Sequence, residues 1–363
     1  MNRKRKKKGS AARVALIVLC VFLALILVGL IAGSIYLESM MNLIGKVDSN
    51  TQSTMSSEEE QAYLDSLTEP SASADATEAS TEEIPTMDPT DVTWATSTDP
   101  VVQTENVINI LIIGQDARKG ESRQRSDSMI LCTVNKTKKT LTLTSFMRDM
   151  YVQIPGKQDN RINASYAMGG MNLLDETLAV NFGIYVDGNV EVDFTGFMDI
   201  VDMLGGIDIE LTKKEADYLN TRGNWDVNPS SAGKWKLKEG MNTLTGEQAL
   251  AYSRIRYVGN GDFGRTERQR KVLTILVNKC KDLNILELNA LLQKVLPMIT
   301  TDLTNSEILS YALEVFPLLS GLTIQTLRIP ADGAYSNQSI RGMAVLVPDL
   351  EKNRDLIKAA LAE

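Results

Sequence analysis

The chain has 363 residues, a formal net charge of −8 and no histidine. Without histidine, a Ser-His-Asp triad and a histidine-ligated metal site are excluded. Acid–base chemistry must then fall to carboxylates, Lys, Tyr or water, and a metal ion would be a hard cation bound by oxygen.

The first predicted element is a membrane-spanning helix. No residue from Val14 to Leu37 is charged. At about 1.5 Å per residue, a helix of that length would cross a hydrocarbon core of roughly 30 Å. A cleaved signal peptide is the alternative, although its apolar region is usually only about 7–15 residues long. The basic cluster Lys4–Lys8, within residues 1–13, predicts a cytoplasmic N-terminus and an extracellular domain.

Residues 38–106 are predicted to form a disordered acidic linker. Ser, Thr, Asp, Glu and Pro dominate this segment, and its hydrophobic periodicity is weak. Such a segment buries too little apolar surface to offset the entropy lost on ordering. We therefore expect a spacer without chemistry of its own.

Residues 107–363 are predicted to form one α/β domain. Val107–Ile113 is an apolar run of strand length, and Ser128–Val134 and Thr140–Phe146 follow as a hairpin. Ala164–Phe182 is typical of a helix, and strands continue to alternate with helices to the end of the chain. This order predicts a single three-layer α-β-α domain with a mixed central sheet. The domain is close to neutral, so charge gives no support for a nucleic-acid-binding role.

Two aspartates are predicted to meet at one end of neighbouring strands. Asp116 follows the first strand, and Asp127 enters the next one just after Arg125. This placement suits Mg²⁺, which prefers one or two carboxylates together with phosphate oxygens and water. An ordinary turn aspartate and a capping aspartate are the alternative.

Paired arginines mark a second candidate site. Arg254 and Arg256 lie in the segment Ser253–Val258, which is predicted to be a strand, so both would face the same side. Arg148, at the end of another strand, could reach across the same rim of the sheet. The arginine fork matches phosphate oxygens, and a pair of surface salt bridges is the alternative.

A third candidate site lies at the start of the helix predicted over 266–282. Arg265 and Gln269 are four residues apart and share a face, which continues through the apolar residues Leu276 and Cys280. Gln269 is therefore predicted to point inward. Because helix N-termini attract anions, this arrangement predicts a phosphate site.

A nucleotide cofactor is not expected. Gly259–Gly264 matches the G-x-G-x-x-G pattern, but no acidic residue ends a following strand about 20 residues later, as a dinucleotide site requires. The chain also has no G-x-x-x-x-G-K-[ST] loop.

Eight segments in order resemble the LytR–CpsA–Psr family of Gram-positive bacteria. They run across residues 109–273 and read NILIIGQD, RQRSDSMI, LTSFMRDMYVQIPG, RINASYAMGG, VEVDFTGF, VDMLGGIDIEL, LTGEQALAYSRIRY and GDFGRTERQRKVL. The chain departs from the family pattern at Ile255, where an aromatic residue is usual, and at Tyr257, where His is frequent. Neither departure removes a charged group.

The resemblance implies a Mg²⁺-dependent phosphotransferase at the outer face of the membrane. The enzyme would move a glycopolymer, such as teichoic acid or capsule, from undecaprenyl pyrophosphate to a hydroxyl of peptidoglycan. Its polyprenyl substrate would need an apolar tunnel between the sheet and the helices. Two alternatives remain: a non-catalytic regulator that binds polyprenyl phosphates or wall fragments, and a lipid pyrophosphatase that uses the same site.

The resemblance also assigns roles to individual residues. It gives Mg²⁺ to Asp116 and Asp127. It implies that a second set of residues binds the pyrophosphate or takes part in catalysis: Arg125, Arg148, Arg254, Arg256, Asp262, Arg265, Arg268 and Gln269.

Overall fold

The structure is a computed structural model that describes residues 33, 35–48, 52, 54–68, 84–97, 99–101, 105–115, 125–225 and 227–361. The predicted cytoplasmic tail, residues 1–13, lies outside the described residues. So does the predicted membrane helix, except for residues 33 and 35–37. Among the described residues, no helix has the length and apolar character needed to cross a membrane.

Strands and helices are interspersed along the described chain. The strands are β1 (Gly45–Lys46), β2 (Val107–Gln115), β3 (Ser126–Asn135), β4 (Thr140–Phe146), β5 (Tyr151–Val152), β6 (Asn160–Arg161), β7 (Gly188–Asp193), β8 (Ile207–Leu211), β9 (Gly240–Leu244), β10 (Ile299–Thr301), β11 (Thr323–Ile329), β12 (Tyr335–Ile340) and β13 (Met343–Pro348). The helices are α1 (Ser57–Thr68), α2 (Ile162–Phe182), α3 (Phe194–Met203), α4 (Lys213–Arg222), α5 (Gly246–Ser253), α6 (Gly261–Lys281), α7 (Ile285–Val295), α8 (Asn305–Val315) and α9 (Leu350–Leu361).

A seven-stranded mixed sheet lies at the centre of the domain, in the order β1-β10-β7-β2-β3-β4-β11. β2 pairs antiparallel with β3 and parallel with β7, and β4 pairs parallel with β11. The predicted hairpin is confirmed, because β3 and β4 pair antiparallel. The ends of β2, β4 and β7 and the start of β3 therefore meet at one edge of the sheet.

Helices cover both faces of this sheet. On one face, Leu111 and Leu131 pack in a cluster with Leu178 of α2 and Ile357 of α9. On the other face, Ile108 and its neighbours on β3 and β4 pack against α6 and α8. Successive residues of a strand point to opposite faces, so the apolar runs in β2 and β3 supply both layers. The predicted mixed sheet between two helical layers is confirmed.

Parts of the predicted linker are packed against the domain. β1 adds a strand to the sheet through parallel pairing with β10, and Met40 and Ile44 are buried beside it. Further along, the Trp94 ring stacks on Tyr151 with 6.0 Å between centroids. The prediction of a disordered spacer is wrong for these segments. Their apolar side chains are too few and too far apart to form a periodic pattern, but Met40, Ile44 and Trp94 pack against the folded domain.

Candidate functional site

A cavity of about 570 Å³ lies between one face of the sheet and the helices above it. Ile112, Ile130 and Leu141 line it from the strands, and Val272 and Leu276 line it from α6. The polar lining residues lie near the end of β2 and the starts of β3 and α6, whereas the lining at the other ends of these elements is apolar. From Arg265 to Cys280 the α6 wall extends for about 22 Å. The cavity is thus an apolar tunnel with one polar end.

Charged side chains from four segments gather at the polar end. Arg148, just after β4, donates from Nη1 to Asp127 Oδ1 of β3 at 2.9 Å, and its Nη2 lies 3.8 Å from Asp262 Oδ2. Asp262 Oδ1, in the first turn of α6, lies 3.2 Å from Arg265 Nε and 3.5 Å from Arg256 Nε. One carboxylate is therefore shared by three guanidiniums.

Arg265 is the most deeply buried cation of this cluster. Its side chain is 3% exposed, and Nη2 donates to the carbonyl oxygen of Asp127 at 3.4 Å. Its Nε has no well-formed hydrogen bond to any described residue. Burial, reinforced by the nearby charge of Arg148, lowers the pKa of Arg265 to about 10. Arg265 therefore remains a cation at neutral pH, and its guanidinium N–H groups can donate hydrogen bonds to an anion.

Asp127 and Arg148 are also ionised at neutral pH. Burial acts to raise the pKa of Asp127, but Arg148, Arg265 and Arg256 outweigh it and hold the pKa below the usual value. Burial acts to lower the pKa of Arg148, but the surrounding aspartates outweigh it and raise the pKa. The polar end of the cavity is therefore a network of ion pairs suited to phosphate oxygens.

Gln269 extends this network into the tunnel. It lies one turn beyond Arg265 on α6, and both side chains line the cavity, which confirms the shared face. Ser128 Oγ donates to Gln269 Oε1 at 3.2 Å. A side-chain amide is thereby positioned where the polar and apolar linings meet.

The paired arginines are held differently from the prediction. The predicted strand over Ser253–Val258 is wrong, because α5 continues through Ser253 and Arg254 is its C-terminal cap. Ile255 is fully buried in a cluster with α6, which fixes the segment by packing rather than by strand pairing. Both arginines nevertheless line the cavity, and Arg254 Cζ lies 4.5 Å from the Phe194 ring centroid.

Comparison with known proteins identifies the family. The model of the LytR_cpsA_psr family matches residues 63–360. The chain belongs to this family.

Two curated relatives and two solved structures illustrate the similarity to other proteins. The regulatory protein MsrR of Staphylococcus aureus is 29% identical over 267 residues, which cover 72% of this chain and 76% of MsrR. The polyisoprenyl-teichoic acid–peptidoglycan teichoic acid transferase TagU of Bacillus licheniformis is 36% identical over 180 residues, 49% of this chain and 54% of TagU.

Both solved structures are of TagT, a protein of Bacillus subtilis. TagT with bound octaprenyl pyrophosphate superposes with a TM-score of 0.52 at 26% identity, covering 75% of this chain and all of the other. TagT bound to LIIa-WTA gives a TM-score of 0.57 at 27% identity, covering 71% and 90%.

Arg125 and Arg268, which the family resemblance assigns to the ligand, are not among the residues that line the cavity. Arg125 is exposed, with Cζ 5.9 Å from the Tyr63 ring centroid. Arg268 is buried, and its Nε donates to Glu215 Oε1 at 2.9 Å. Its Nη1 and Nη2 donate to the backbone carbonyls of Ile255 and Val258. Arg268 therefore links Glu215 to the loop before α6, and its contact with pyrophosphate stays a prediction.

The metal prediction depends on two aspartates, of which the structure describes one. Asp127 presents a carboxylate at the polar end of the cavity, and Asp116 lies outside the described residues. The described residues contain no group of three or more Cys, Asp or Glu side chains that could hold a metal ion by themselves. Asp127 fits a Mg²⁺ site that completes its coordination with phosphate oxygens and water.

Asp149, beside the polar end of the cavity, and two aromatic residues of its lining could not be singled out from the sequence. Asp149 lies 3.4 Å from Arg148 Nε and 3.7 Å from Arg161 Nε, although only its neighbour Arg148 was singled out. Trp225 and Tyr218 line the cavity. Their one signal in the sequence is the unusual presence of aromatic residues in and near a loop rich in Gly, Asn, Pro and Ser.

Proposed function

We propose that the chain is a phosphotransferase that moves a glycopolymer from undecaprenyl pyrophosphate to a hydroxyl of peptidoglycan. The observation that carries this proposal is the junction of an arginine cluster with an apolar tunnel. Arg148, Arg256 and Arg265 offer forked donors to a pyrophosphate, while the tunnel offers space for a polyprenyl tail. TagT, which has the same fold, binds octaprenyl pyrophosphate, and TagU is a teichoic acid transferase.

The reaction requires positioning and charge neutralisation more than covalent catalysis. The acceptor oxygen forms a bond to the phosphorus that carries the glycan, and the bond from that phosphorus to the bridging oxygen breaks. Undecaprenyl phosphate leaves, and the hydroxyl proton is lost to solvent or a nearby base. Arg148, Arg256 and Arg265 would hold the phosphates in line and neutralise charge that develops on the leaving oxygen.

Asp127 and Asp116 are the residues that would hold Mg²⁺. Bound there, the ion would supply additional charge neutralisation at the phosphate oxygens. Arg148, hydrogen-bonded to Asp127 at 2.9 Å, would orient the carboxylate.

The proposed location is the outer face of the cell membrane, with Val14–Leu37 as the anchor. Tyr36, near the end of this uncharged run, hydrogen-bonds from Oη to Asn289 Oδ1 of α7 at 2.8 Å. That contact would hold the domain close to the bilayer in which a lipid donor resides. Protease added to intact protoplasts should remove residues 107–363 and spare the tail. If the protease removes only residues 1–13, the proposed orientation is wrong.

The deciding experiment measures transfer by the purified full-length protein. A labelled lipid-linked glycan is incubated with peptidoglycan oligomers, with and without Mg²⁺. We expect labelled peptidoglycan only when protein, acceptor and Mg²⁺ are all present, and Asp127→Ala should remove both the activity and its response to Mg²⁺.

Two other results would replace the proposal. Binding of the lipid without any turnover would favour a regulator, a role suggested by the name of MsrR. Release of the glycan phosphate without an acceptor would identify a lipid pyrophosphatase.

A further inference from the structure

Aromatic rings line the cavity beside the arginine cluster and remain largely in water. Trp225 is 50% exposed and Tyr257 is 57% exposed, and both belong to the lining that includes Arg256. Large aromatic rings left exposed in a concave surface mark a place where a ligand can recover the free energy of burial. The arginine chemistry described above makes no use of these rings.

Neighbouring side chains hold the two rings in place. Arg222, at the end of α4, lies over the Trp225 ring with Cζ 5.7 Å from its centroid. Tyr218, one turn earlier on α4, is tilted by 33° against Tyr257 with 6.4 Å between centroids. The rings are therefore preorganised, which reduces the entropy lost when a ligand packs on them.

We propose that Trp225 and Tyr257 form a subsite for a pyranose ring, namely the sugar attached to the phosphate that the arginines hold. This inference rests on the proposed transferase function and deepens it. The C–H faces of a pyranose pack on flat aromatic rings, while its hydroxyl groups stay at the edge in contact with water and polar side chains. Tyr257 directly follows Arg256, so the ring lies one residue away from a phosphate-binding side chain.

The polyprenyl tail fits the aromatic subsite less well than a sugar does. The tunnel wall on α6 is buried, with Val272 only 2% and Leu276 only 9% exposed, which suits a wholly apolar chain. The side chains of Trp225 and Tyr257 are about half exposed to solvent, which suits a ligand with one apolar face and a hydroxylated rim. The tail and the sugar extend from opposite ends of the pyrophosphate, so the two regions match the two ends of the donor.

The test compares binding of two ligands to the full-length protein in detergent. One ligand is a lipid-linked glycan, and the other is undecaprenyl pyrophosphate without sugar. For Trp225→Leu we expect about tenfold weaker binding of the glycan-bearing lipid and unchanged binding of the sugar-free lipid. Trp225→Phe, which keeps a flat ring, should recover most of the loss. Because this measurement is of binding, it gives an answer even if no transfer activity is found.

Tyr185→Ala is the matched control, because Tyr185 is a 40% exposed aromatic residue outside the cavity lining. It should change neither affinity. If Trp225→Leu weakens the binding of both ligands equally, the rings contact the lipid tail and the proposal is wrong. Unchanged binding of the glycan-bearing lipid would overturn it as well.

Discussion

Replacing Arg256 with Ala should lower kcat/KM for transfer by about 10²–10³-fold, the usual effect of removing one preorganised donor to developing charge. Arg256 reaches the cluster from the loop between α5 and α6, where its Nε lies 3.5 Å from Asp262 Oδ1. Its side chain is 36% exposed, so it can meet an incoming phosphate without a large rearrangement. The measurement is steady-state transfer with lipid-linked glycan as the varied substrate.

The same substitution should leave the free protein folded. The charge of Arg256 is one of the contributions that lower the pKa of Arg265, after burial and Arg148. Removing it relieves repulsion on a buried cation, so the melting temperature of the free protein should stay the same or rise slightly. Pyrophosphate lipid stabilises the native state by binding to it preferentially, which raises the melting temperature. This rise in melting temperature should be smaller in the variant.

Arg256→Lys is the informative companion. Lysine keeps the charge but replaces the planar fork with a single ammonium, so it should recover only part of the binding. If Arg256→Ala instead unfolds the free domain while the remaining folded protein transfers at the normal rate, the arginines are structural ion pairs. The catalytic assignment would then fail.

The central strands and the interior-facing helix could be predicted because local pattern and tertiary structure agree there. The apolar run Val107–Ile113 lies in β2, buried on both faces of the sheet. Arg265 and Gln269, four residues apart, face the cavity together because helical periodicity alone determines their shared side. Each of these predictions required only the spacing of residues along one element.

The paired arginines show where such reasoning stops. Alternation of Arg254, Ile255 and Arg256 is also what a half-buried strand would show. In the structure, Ile255 is buried in one cluster with Val272 and Leu276, residues that follow later in the chain. Tertiary contact thus places both arginines at the cavity without a strand, and local alternation carries no information about that contact.

Spacing along one helix also does not show which residues surround Arg268. It lies on α6 only three residues after Arg265, so sequence spacing places both near one face. Its environment is set by Glu215 on α4, which is 53 residues earlier.

Trp94 likewise follows a polar segment whose composition predicts disorder. Only the position of Tyr151, far along the chain, shows why the Trp94 ring is packed.

Breaking the buried ion pair between Arg268 and Glu215 should give a large loss of stability. The Nε–Oε1 distance is 2.9 Å, and the side chains are 9% and 11% exposed. Arg268 Nη1 and Nη2 also donate to the carbonyls of Ile255 and Val258, at 3.2 and 2.7 Å. Arg268→Ala would leave a buried carboxylate uncompensated, and we expect the free energy of unfolding to fall by about 3–5 kcal/mol in denaturant titration. The loop that carries Arg256 lies between those two carbonyls, so transfer should fall too.

Glu215→Gln tests the same pair through its pH dependence. Burial acts to raise the pKa of Glu215, but hydrogen bonds from Thr212 and Arg268 outweigh it and hold the folded-state pKa below 4.5. A depressed carboxyl pKa contributes stability that is present above pH 4.5 and is lost as the pH falls through the folded-state value. The wild-type protein should therefore be more stable than Glu215→Gln at pH 7, and the difference should shrink steadily below about pH 4.5. A difference that stays constant from pH 7 to pH 3 would show that Glu215 acts through its shape and its α4 capping bonds to Thr212, and not through its charge.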